Sequence, residues 1–452
     1  MKLGRYLSFF LAIMFTLVLV VAPVSGPLMA EDTPTVDSQI DSTYTVDTNG
    51  DSSTVQGFSP TCDRGNNYPI VLIGGMSCWG RDELLGFKYF GGFTDVQTKM
   101  SSVGYATYTA APGPFSSYYD RACEVYAHIL GKPTDYGIVH AEIYHHDRWG
   151  HDYSQEPLIR DWGTPSNPKI NMIVHSMGGP TARALVQLLE KGSPLEQDRR
   201  DNLASDSDPT NDYVMSGLFT GGKHWVRSIM TISSPHDGTT LAPALNGIPY
   251  LQKIAAIVIG SFGGGNCIYD FKLEQFGLAK TGNETWCEYW DRVFKSNLWE
   301  GTIDWGNYDG SPEGAQVFNN WVKAQDDVYY FSWATSGTYR DPFTGHQVAR
   351  LSMFPPFMAW ADHMGAYTCD KPGRVRIDSS WWKNDGVVNT NSQDGPSTDT
   401  IVPFSGTPQI AKWNYMGLKE GWDHADIIGC STLWPVTDWY IEQAKLLASL
   451  PK

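Results

Sequence analysis

Short apolar runs alternate along this chain with longer stretches in which apolar residues recur at helical spacing. The runs at 69–73, 227–232 and 328–333 are rich in Ile, Val, Phe and Tyr, and each is short enough for a single buried strand. Strands that alternate with helices indicate a mainly parallel sheet with helices on both faces. The pattern therefore predicts an α/β fold.

The alternation at residues 170–192 also contains a candidate nucleophile. Residues 170–175 read as a strand, Ser176 occupies the turn, and two glycines with a proline at 178–180 allow a tight bend into a helix. The apolar helical positions are Ala182, Leu185, Val186 and Leu189. An α/β hydrolase presents its nucleophilic serine in such a strand–turn–helix unit. An ordinary βα turn that contains serine is the alternative interpretation of this segment alone.

The first 60 residues differ in composition from the rest. In residues 1–30, Lys2 and Arg5 precede an apolar core at 7–21, and small residues at 24–26 or 28–30 offer a cleavage site, as in a signal peptide. An uncleaved anchor is the alternative. Residues 31–60, rich in Ser, Thr and Asp, predict a disordered linker. We therefore expect an extracellular protein whose catalytic domain occupies residues 61–452.

Charge restricts the class of partner. The chain has 33 Lys and Arg against 49 Asp and Glu, which gives a net charge of −16. Phosphate backbones repel such a surface, so we expect no nucleic-acid partner. The sequence gives no signal of oligomeric state.

Cysteine spacing does not assign disulfides. Export permits them, but the chain has seven cysteines, an odd number that leaves at least one thiol free. Cys267 and Cys287 are the first pair to test, and no CxxC metal pattern occurs.

The run at 251–259, LQKIAAIVI, is apolar and helical in pattern, and a glycine cluster at 260–265 follows it. It can be a buried helix, or a mobile cover that hides an active site and meets lipid when it opens. The flanking glycines favour the cover, so we predict a lid region at about 240–300.

From about residue 61 onward, specific segments follow one another in the order of a known family. They lie at 79–81, 86–89, 120–124, 135–137, 175–179, 235–240, 269–273, 384–386 and 423–424. The chain resembles the zinc-containing bacterial lipases of the thermoalkalophilic bacilli, which are related to staphylococcal lipases. The resemblance implies an α/β-hydrolase fold with a helical lid and a zinc-binding insertion.

Catalysis by serine requires a base and a carboxylate that fixes the tautomer of the base. In this fold the chain order is Ser, Asp, His. Ser176, then Asp385 just after a strand-like stretch, then His424 follow that order and match the family's triad. Taken alone, Asp385 reads as a turn former and His424 as a surface histidine. His236 is a weaker candidate base, because the family uses its segment structurally.

The resemblance also implies an oxyanion hole formed by the backbone N–H groups of Met76 and Met177. Met76 replaces the family's Phe, which should loosen the wall that contacts the acyl chain. Val174 stands where the family has Ala or Gly, and its branched side chain is expected to crowd the turn.

Asp120, His140, His146 and Asp304 match the family's zinc ligands one by one. Spacing alone does not predict this site, because two histidines six residues apart do not share a helix face, and His145 and His151 are competing candidates. Two imidazoles and two carboxylates fill a tetrahedral zinc shell and leave no position for a reactive water. We therefore expect a structural zinc.

The family also has a calcium site near the catalytic histidine. Asp426 can supply one carboxylate here, but Ser431 and Thr432 stand where the family has Asp-Pro. We expect weak calcium binding at most.

These features predict a secreted ester hydrolase that cleaves lipid or other water-insoluble esters, at a lipid–water or polymer surface, through an acyl-Ser176 intermediate. One alternative is a carboxylesterase or polyesterase without interfacial activation. Another is a catalytically silent lipid-binding protein. A metalloprotease is not supported, because no HExxH segment occurs and the expected zinc shell is closed.

Overall fold

The computed structural model describes residues 64–205, 213–244, 268–296, 298, 304–430 and 436–452. Several predicted features lie outside the described residues. They are the export signal, the linker, the cover helix at 251–259, Cys62, Cys267, Ser431 and Thr432. Part of the predicted lid region is outside as well, namely residues 245–267, 297, 299 and 300.

The described chain is built on a seven-stranded sheet, and every neighbouring pair in it is parallel. The strands are β1 Ile70–Ile73, β2 Thr107–Ala110, β3 Pro133–Asp135, β4 Trp149–Asp152, β5 Ile170–His175, β6 Val226–Ile232, β7 Tyr329–Ser336, β8 Thr338–Arg340, β9 Gln347–Ala349, β10 Ile401–Pro403 and β11 Trp413–Glu420. The order in the sheet is β10-β11-β7-β6-β5-β1-β2, and β3–β4 and β8–β9 form separate antiparallel pairs.

The helices lie between the strands along the chain. They are α1 Val96–Ser102, α2 Tyr118–Leu130, α3 Ile138–Tyr144, α4 Gly178–Lys191, α5 Pro194–Ser205, α6 Leu241–Ala244, α7 Trp286–Lys295, α8 Gly306–Asp309, α9 Pro312–Trp321, α10 Pro355–Met364 and α11 Thr437–Ser449. None of these helices combines the length and apolarity needed to cross a membrane.

Neighbouring side chains of each strand enter two different apolar layers, as the pleat of a strand requires. Leu72 and its register partner Ile173 contribute to one layer, together with residues of α1 and α11. Val71 and its partner Met172 contribute to the other, together with α2 and α4. Both faces of the sheet are therefore covered, and the predicted α/β-hydrolase fold is confirmed.

The predicted strands at 69–73, 227–232 and 328–333 correspond to β1, β6 and β7. Helix α4 is buried on nearly every side, beyond the single apolar face that its periodicity predicted. Its polar residues are bonded internally: Arg121 Nε donates to Thr181 Oγ1 at 3.0 Å, and Arg183 donates to Asn319 Oδ1 at 2.8 Å.

One local expectation was wrong. Asp385 does not follow directly on a strand: β8, β9 and α10 intervene after β7, and the segment before Asp385 forms only isolated bridges. The chain then returns to the end of β7, where Gly337 N donates to Asn384 O at 3.0 Å. The chain thus leaves the sheet after β7 and returns, so that Asp385 lies at the carboxyl ends of the parallel strands, as Ser176 does.

His128 of α2 predicts a specific acid sensitivity. It is buried, its Nδ1 accepts from Ala111 N at 3.1 Å, and burial lowers its pKa to about 3. The unfolded chain protonates this imidazole near pH 6.5, whereas the folded chain resists until about pH 3. The contribution of the neutral His128 ring to the free energy of unfolding is therefore complete above about pH 6.5 and is lost as the pH falls toward 3.

His128→Asn keeps an acceptor for Ala111 N but does not titrate. We expect wild type to lose about 2 kcal/mol more stability than this variant between pH 7 and 4.5, a relative shift in Tm of a few degrees. Thermal unfolding by circular dichroism at both pH values measures the difference. Parallel curves for the two proteins would contradict the assignment.

Candidate active site and metal centre

Ser176 lies directly after β5, in the left-handed backbone conformation, with φ of 55°. A serine tolerates this conformation only where the surroundings enforce it. Its N–H still donates to Ile232 O of β6 at 2.9 Å, so the sheet ladder holds the turn up to this residue. Val174, expected to crowd the turn, is buried in the apolar layer with its strand pairing intact.

Three glycines allow backbones to approach closely at this turn. A Cβ on Gly178 would collide with the carbonyl oxygen of Ile73, and one on Gly179 would lie 2.6 Å from Ser234 Cβ. A Cβ on Gly75 would lie 2.8 Å from Ser176 Oγ. The loop after β1 therefore passes directly beside the serine hydroxyl.

Most amides around this hydroxyl already have acceptors. Gly75 N donates to the hydroxyl of Tyr89 at 3.0 Å, and Ser77 N donates to a backbone carbonyl in the next loop at 3.0 Å. The N–H groups of Met76 and Met177 make no hydrogen bond to any residue that the structure describes. These two amides follow Gly75 and Ser176 in the chain, and they are the pair that the sequence analysis expects to form an oxyanion hole.

Arg121 holds the loop after β1 through hydrogen bonds, a role that the sequence analysis missed. This fully buried guanidinium donates to Gly74 O at 2.6 Å and to Thr181 Oγ1 at 3.0 Å. Thr181 Oγ1 donates in turn to Met177 O at 2.9 Å. The signal in the sequence was an arginine inside a helix whose other positions are largely apolar. A charge that is buried there must find internal acceptors.

Asp385 and His424 form a close pair at the same edge of the sheet. His424 Nδ1 lies 2.9 Å from Asp385 Oδ2, and His424 N donates to Asp385 O at 3.0 Å. Since the carboxylate accepts, the proton of a neutral His424 ring stands on Nδ1 and leaves Nε2 as the basic nitrogen. His175, the neighbour of Ser176, has its ring centroid 4.5 Å from that of His424.

The carboxylate of Asp385 is fully buried and well supported. Its Oδ1 accepts from Val387 N at 3.0 Å and from Val388 N at 2.8 Å, and its Oδ2 accepts from Thr335 Oγ1 at 2.8 Å. A buried carboxylate with this many donors stays in one orientation. It can therefore orient the His424 ring.

His236, the weaker candidate base, is fully buried and is bonded elsewhere. Its Nε2 pairs with Thr231 Oγ1 at 3.0 Å, and its ring contacts Trp413 edge to face at 4.4 Å. Burial holds the pKa of His236 well below its ordinary value. These contacts fix the loop after β6.

Asp120, His140, His146 and Asp304 converge at a second centre, with one donor atom from each within 4.8 Å of the others. His140 Nε2 lies 3.0 Å from Asp120 Oδ1 and 3.2 Å from Asp304 Oδ2, and His146 Nε2 lies 3.3 Å from Asp304 Oδ2. A tetrahedron with metal bonds of about 2.0–2.1 Å has edges of about 3.3 Å. The donor spacing therefore fits a small tetrahedral cation.

The electrostatics of this cluster also favour a cation. Burial, with Asp304 beside it, raises the pKa of the Asp120 carboxyl. Burial opposes the charged form of His140, but the two carboxylates outweigh burial and raise its pKa to about 10. Asp120 Oδ1 and His146 Nε2 are buried without a hydrogen bond to any described residue. Atoms that lie this close to their neighbours without a well-directed hydrogen bond are expected where an ion binds.

The supporting contacts distinguish the ligands from the competing histidines. His146 Nδ1 faces Asp147 O at 2.8 Å, which directs Nε2 into the cluster. His145 stands at a left-handed position that ends α3, with φ of 58°. His151 pairs with Glu274 at 2.7 Å instead.

Near His424, the acidic side chains are bonded to backbone. Asp423 accepts from Phe354 N at 2.6 Å and from Asp426 N at 2.9 Å, and Asp426 accepts from Asp423 N at 3.0 Å. Burial and Asp426 raise the pKa of Asp423 to about 6. Weak calcium binding stays a prediction.

Comparisons with known proteins show the family to which the chain is related. A family model described as "Lipase-like, C-terminal domain" matches residues 66–439. Lipase 1 of Staphylococcus aureus (strain MRSA252) is 31% identical over 368 residues, which are 80% of this chain and 51% of that protein. The chain thus spans about half the length of the curated relatives that it matches.

Two solved structures are more similar in sequence. The structure of EstA from Clostridium botulinum is 44% identical with a TM-score of 0.78, and the match covers 87% of this chain and 90% of EstA. Lipase 1 from Pelosinus fermentans is also 44% identical with a TM-score of 0.75, and the match covers 86% of this chain and 100% of that protein.

Proposed function

Because this chain belongs to the lipase family described by that C-terminal domain model, we propose that it is a carboxylic ester hydrolase with Ser176 as nucleophile, His424 as base and Asp385 as the group that orients the base. The observation that supports this best is the buried pair of Asp385 Oδ2 and His424 Nδ1, 2.9 Å apart, at the sheet edge where Ser176 occupies its strained turn.

In the acylation step, His424 Nε2 takes the hydroxyl proton as Ser176 Oγ attacks the ester carbonyl carbon. The carbonyl oxygen becomes an oxyanion and accepts from the N–H groups of Met76 and Met177. Collapse of this intermediate breaks the bond to the alcohol oxygen. The imidazolium then gives its proton to the leaving alcohol, and an acyl-Ser176 ester remains.

In the deacylation step, water replaces the alcohol. His424 Nε2 removes a proton from this water as its oxygen attacks the acyl carbon, and the same two amides stabilise the second oxyanion. Collapse releases the carboxylic acid and returns the proton to Ser176 Oγ. Asp385 stays ionised throughout and stabilises the imidazolium.

Aromatic side chains beside His424 favour apolar acyl substrates, in accord with the names of the relatives. The Phe357 ring lies 6.4 Å from the His424 ring and 5.2 Å from Phe354, which is 38% exposed. Leu351, just before α10, is 95% exposed. Apolar side chains near the base, some of them exposed, suit lipid or polyester chains at a lipid–water or polymer surface, and an extracellular protein would meet them there. A short-chain carboxylesterase or polyesterase is the second candidate.

We further propose that the four-residue metal cluster binds zinc. Asp120, His140, His146 and Asp304 would complete a tetrahedral shell, so the ion would supply no reactive water. Its role would be to join α2 and the β3–β4 insertion to the segment at 304. The ester chemistry would remain with Ser176.

A covalent phosphonate probe tests the enzymatic proposal. We expect one probe per chain on wild type and none on Ser176→Ala. Initial rates on p-nitrophenyl esters of increasing chain length, measured below and above micelle formation, separate the two substrate classes. A rate that rises with micelles indicates a lipase, and a preference for short soluble esters indicates a carboxylesterase. An unlabelled wild-type protein that folds normally would overturn the proposal and favour a silent lipid-binding protein.

The approach of the β1 loop predicts the effect of one methyl group. Gly75→Ala places a Cβ about 2.8 Å from Ser176 Oγ and must displace the loop that contains Met76 N–H. A shift of about 1 Å at a reacting group costs about 100-fold in rate, so we expect kcat to fall by that order.

Gly282→Ala is the matched control, because a Cβ at Gly282 has no atom within 4 Å. Its kcat and Tm should remain at wild-type values. Equal activities of the two variants would show that the loop has room to move without consequence.

A further inference from the structure

Tyr89 and His175 form a buried chain of hydrogen bonds that has no role in the reaction steps proposed above. Gly75 N lies 3.0 Å from the Tyr89 hydroxyl oxygen, and that oxygen lies 2.8 Å from His175 Nδ1. His175 Nε2 lies 3.1 Å from the backbone oxygen of His424. The chain therefore begins in the loop beside Met76 and ends on the catalytic base.

Donor and acceptor roles follow from the two ends of this chain. The carbonyl of His424 can only accept, so His175 Nε2 must bear a proton. Burial and the nearby His424 hold the pKa of His175 well below its ordinary value, so the ring is neutral and Nδ1 accepts. The Tyr89 hydroxyl must then donate to Nδ1 while it accepts from Gly75 N–H. Every partner is satisfied in one arrangement.

The surroundings keep this arrangement dry and rigid. His175 is 1% exposed and Tyr89 is 7% exposed. The Tyr89 ring contacts Trp79 and Phe90 edge to face, each at 5.1 Å. Burial raises the pKa of Tyr89 far above its ordinary range, so the phenol keeps the proton that it donates. Hydrogen bonds in such a site restrict motion more strongly than bonds exposed to water.

The chain joins three segments that reach the active site separately. The loop after β1 contains Met76, the turn after β5 contains Ser176, and the loop after β11 contains His424. Nucleophile, base and oxyanion donor must stay within about 0.5 Å of their reactive positions. Sheet hydrogen bonds extend as far as Ser176 N–H, but among the described residues they do not reach Met76 or His424.

We propose that His175, together with Tyr89, is a positioning pair that fixes the His424 backbone and the Gly75–Met76 loop relative to Ser176. The inference rests on the proposed function, because it assigns a role in that reaction. Neither residue contacts substrate in this role. Its consequence is a loss of kcat with little change in KM, since substrate binding does not depend on the alignment of the base.

Substitutions at residue 175 can break one link at a time. His175→Asn places an amide oxygen near Nδ1 and keeps the bond from Tyr89. His175→Gln places an amide N–H near Nε2 and keeps the bond to His424 O. His175→Phe breaks both links and retains an aromatic ring, and Tyr89→Phe removes one oxygen atom.

With p-nitrophenyl butyrate as substrate, we expect His175→Phe to lower kcat about 10- to 100-fold with KM within about threefold of wild type. The Asn and Gln variants should fall between wild type and His175→Phe. Tyr89→Phe should add little to His175→Phe in the double variant, because both act through one chain.

His128→Phe is the matched control. His128 is also a buried histidine whose ring accepts one backbone N–H and stacks on a tyrosine. We expect it to lower Tm by an amount similar to His175→Phe and to leave kcat unchanged. If His175→Phe folds poorly, Tyr89→Phe alone provides the comparison.

A wild-type kcat in His175→Phe or Tyr89→Phe would overturn the positioning role, as would an equal fall in His128→Phe. Failure of the proposed function has a different signature, because wild type itself would then neither turn over ester nor react with a phosphonate at Ser176.

Discussion

Replacing Ser176 with alanine is expected to lower kcat about 10⁶-fold, and Asp385→Asn about 10⁴-fold, while both proteins remain folded. Loss of the nucleophile removes the acyl intermediate entirely. The fall in kcat on removal of the carboxylate has a different cause. An amide N–H facing His424 Nδ1 in place of Oδ2 favours the tautomer whose Nε2 is protonated and can no longer act as base.

The structure explains why Asp385→Asn should fold. Its Oδ1 accepts from Val387 N and Val388 N, and an amide oxygen can keep both bonds. The bond from His424 N goes to the backbone oxygen of residue 385 and does not depend on the side chain. Thr335 Oγ1 and Gln393 Nε2 lose Oδ2 as an acceptor, but Gln393 Oε1 and Val388 O, each at 3.2 Å, remain as acceptors for them. The main change at the site is therefore the tautomer of the base.

Initial rates on a soluble p-nitrophenyl ester, with thermal unfolding in parallel, measure this series. Asp399→Asn is the matched control: this half-buried carboxylate accepts from Ala324 N and from the indole of Trp413 and makes none of the active-site contacts. The double variant Ser176→Ala with Asp385→Asn should be no slower than Ser176→Ala, because triad residues act as a unit. Fully additive losses, or an active Ser176→Ala, would contradict the assignment.

The parts of the site that the sequence predicted are those defined by neighbouring residues. β5 is an apolar run, and the glycines after Ser176 are required because a Cβ there would strike Ile73 or Ser234. Strand, turn and helix all follow from residues within one short segment. Local periodicity contains that information.

Contacts between distant segments were not predictable in this way. Asp385 and His424 are 39 residues apart, with β10 and β11 between them. They meet because the chain returns to the end of β7 before Asp385, and because β11, which precedes His424, is the neighbour of β7 in the sheet. Helical spacing also argued against His140 and His146 as joint ligands. The structure resolves that conflict, because α3 ends at Tyr144 and the left-handed His145 turns the chain so that the two rings lie 5.4 Å apart.

Removal of the proposed zinc should lower Tm by about 10 °C and leave most turnover at 20 °C intact. The ligands come from α2, from the α3 region and from the segment before α8, so the ion would hold three parts of the chain together. Without it, Asp120 and Asp304 remain as two buried carboxylates beside two imidazoles. Structural zinc contributes about 10 kcal/mol to folding, and a chain of this size loses roughly 1 °C per kcal/mol.

Adjacent histidines provide a matched comparison for this experiment. His146→Asn removes one ligand nitrogen, whereas His145→Asn alters only the neighbouring residue. Residue 145 has a left-handed backbone conformation, which asparagine tolerates. We expect one zinc per chain in wild type and in His145→Asn by elemental analysis, and a large loss of metal from His146→Asn. A chelator should bring the Tm of wild type down to that of His146→Asn and shift the variant little further.

Turnover at low temperature separates a structural ion from a catalytic one. With four protein ligands, the ion has no open position for water or substrate, so the acyl-enzyme chemistry should survive chelation while the fold persists. Warming should then abolish activity and circular dichroism together. Immediate and complete loss of turnover at 20 °C in a protein whose circular dichroism is unchanged would place the metal in the reaction itself.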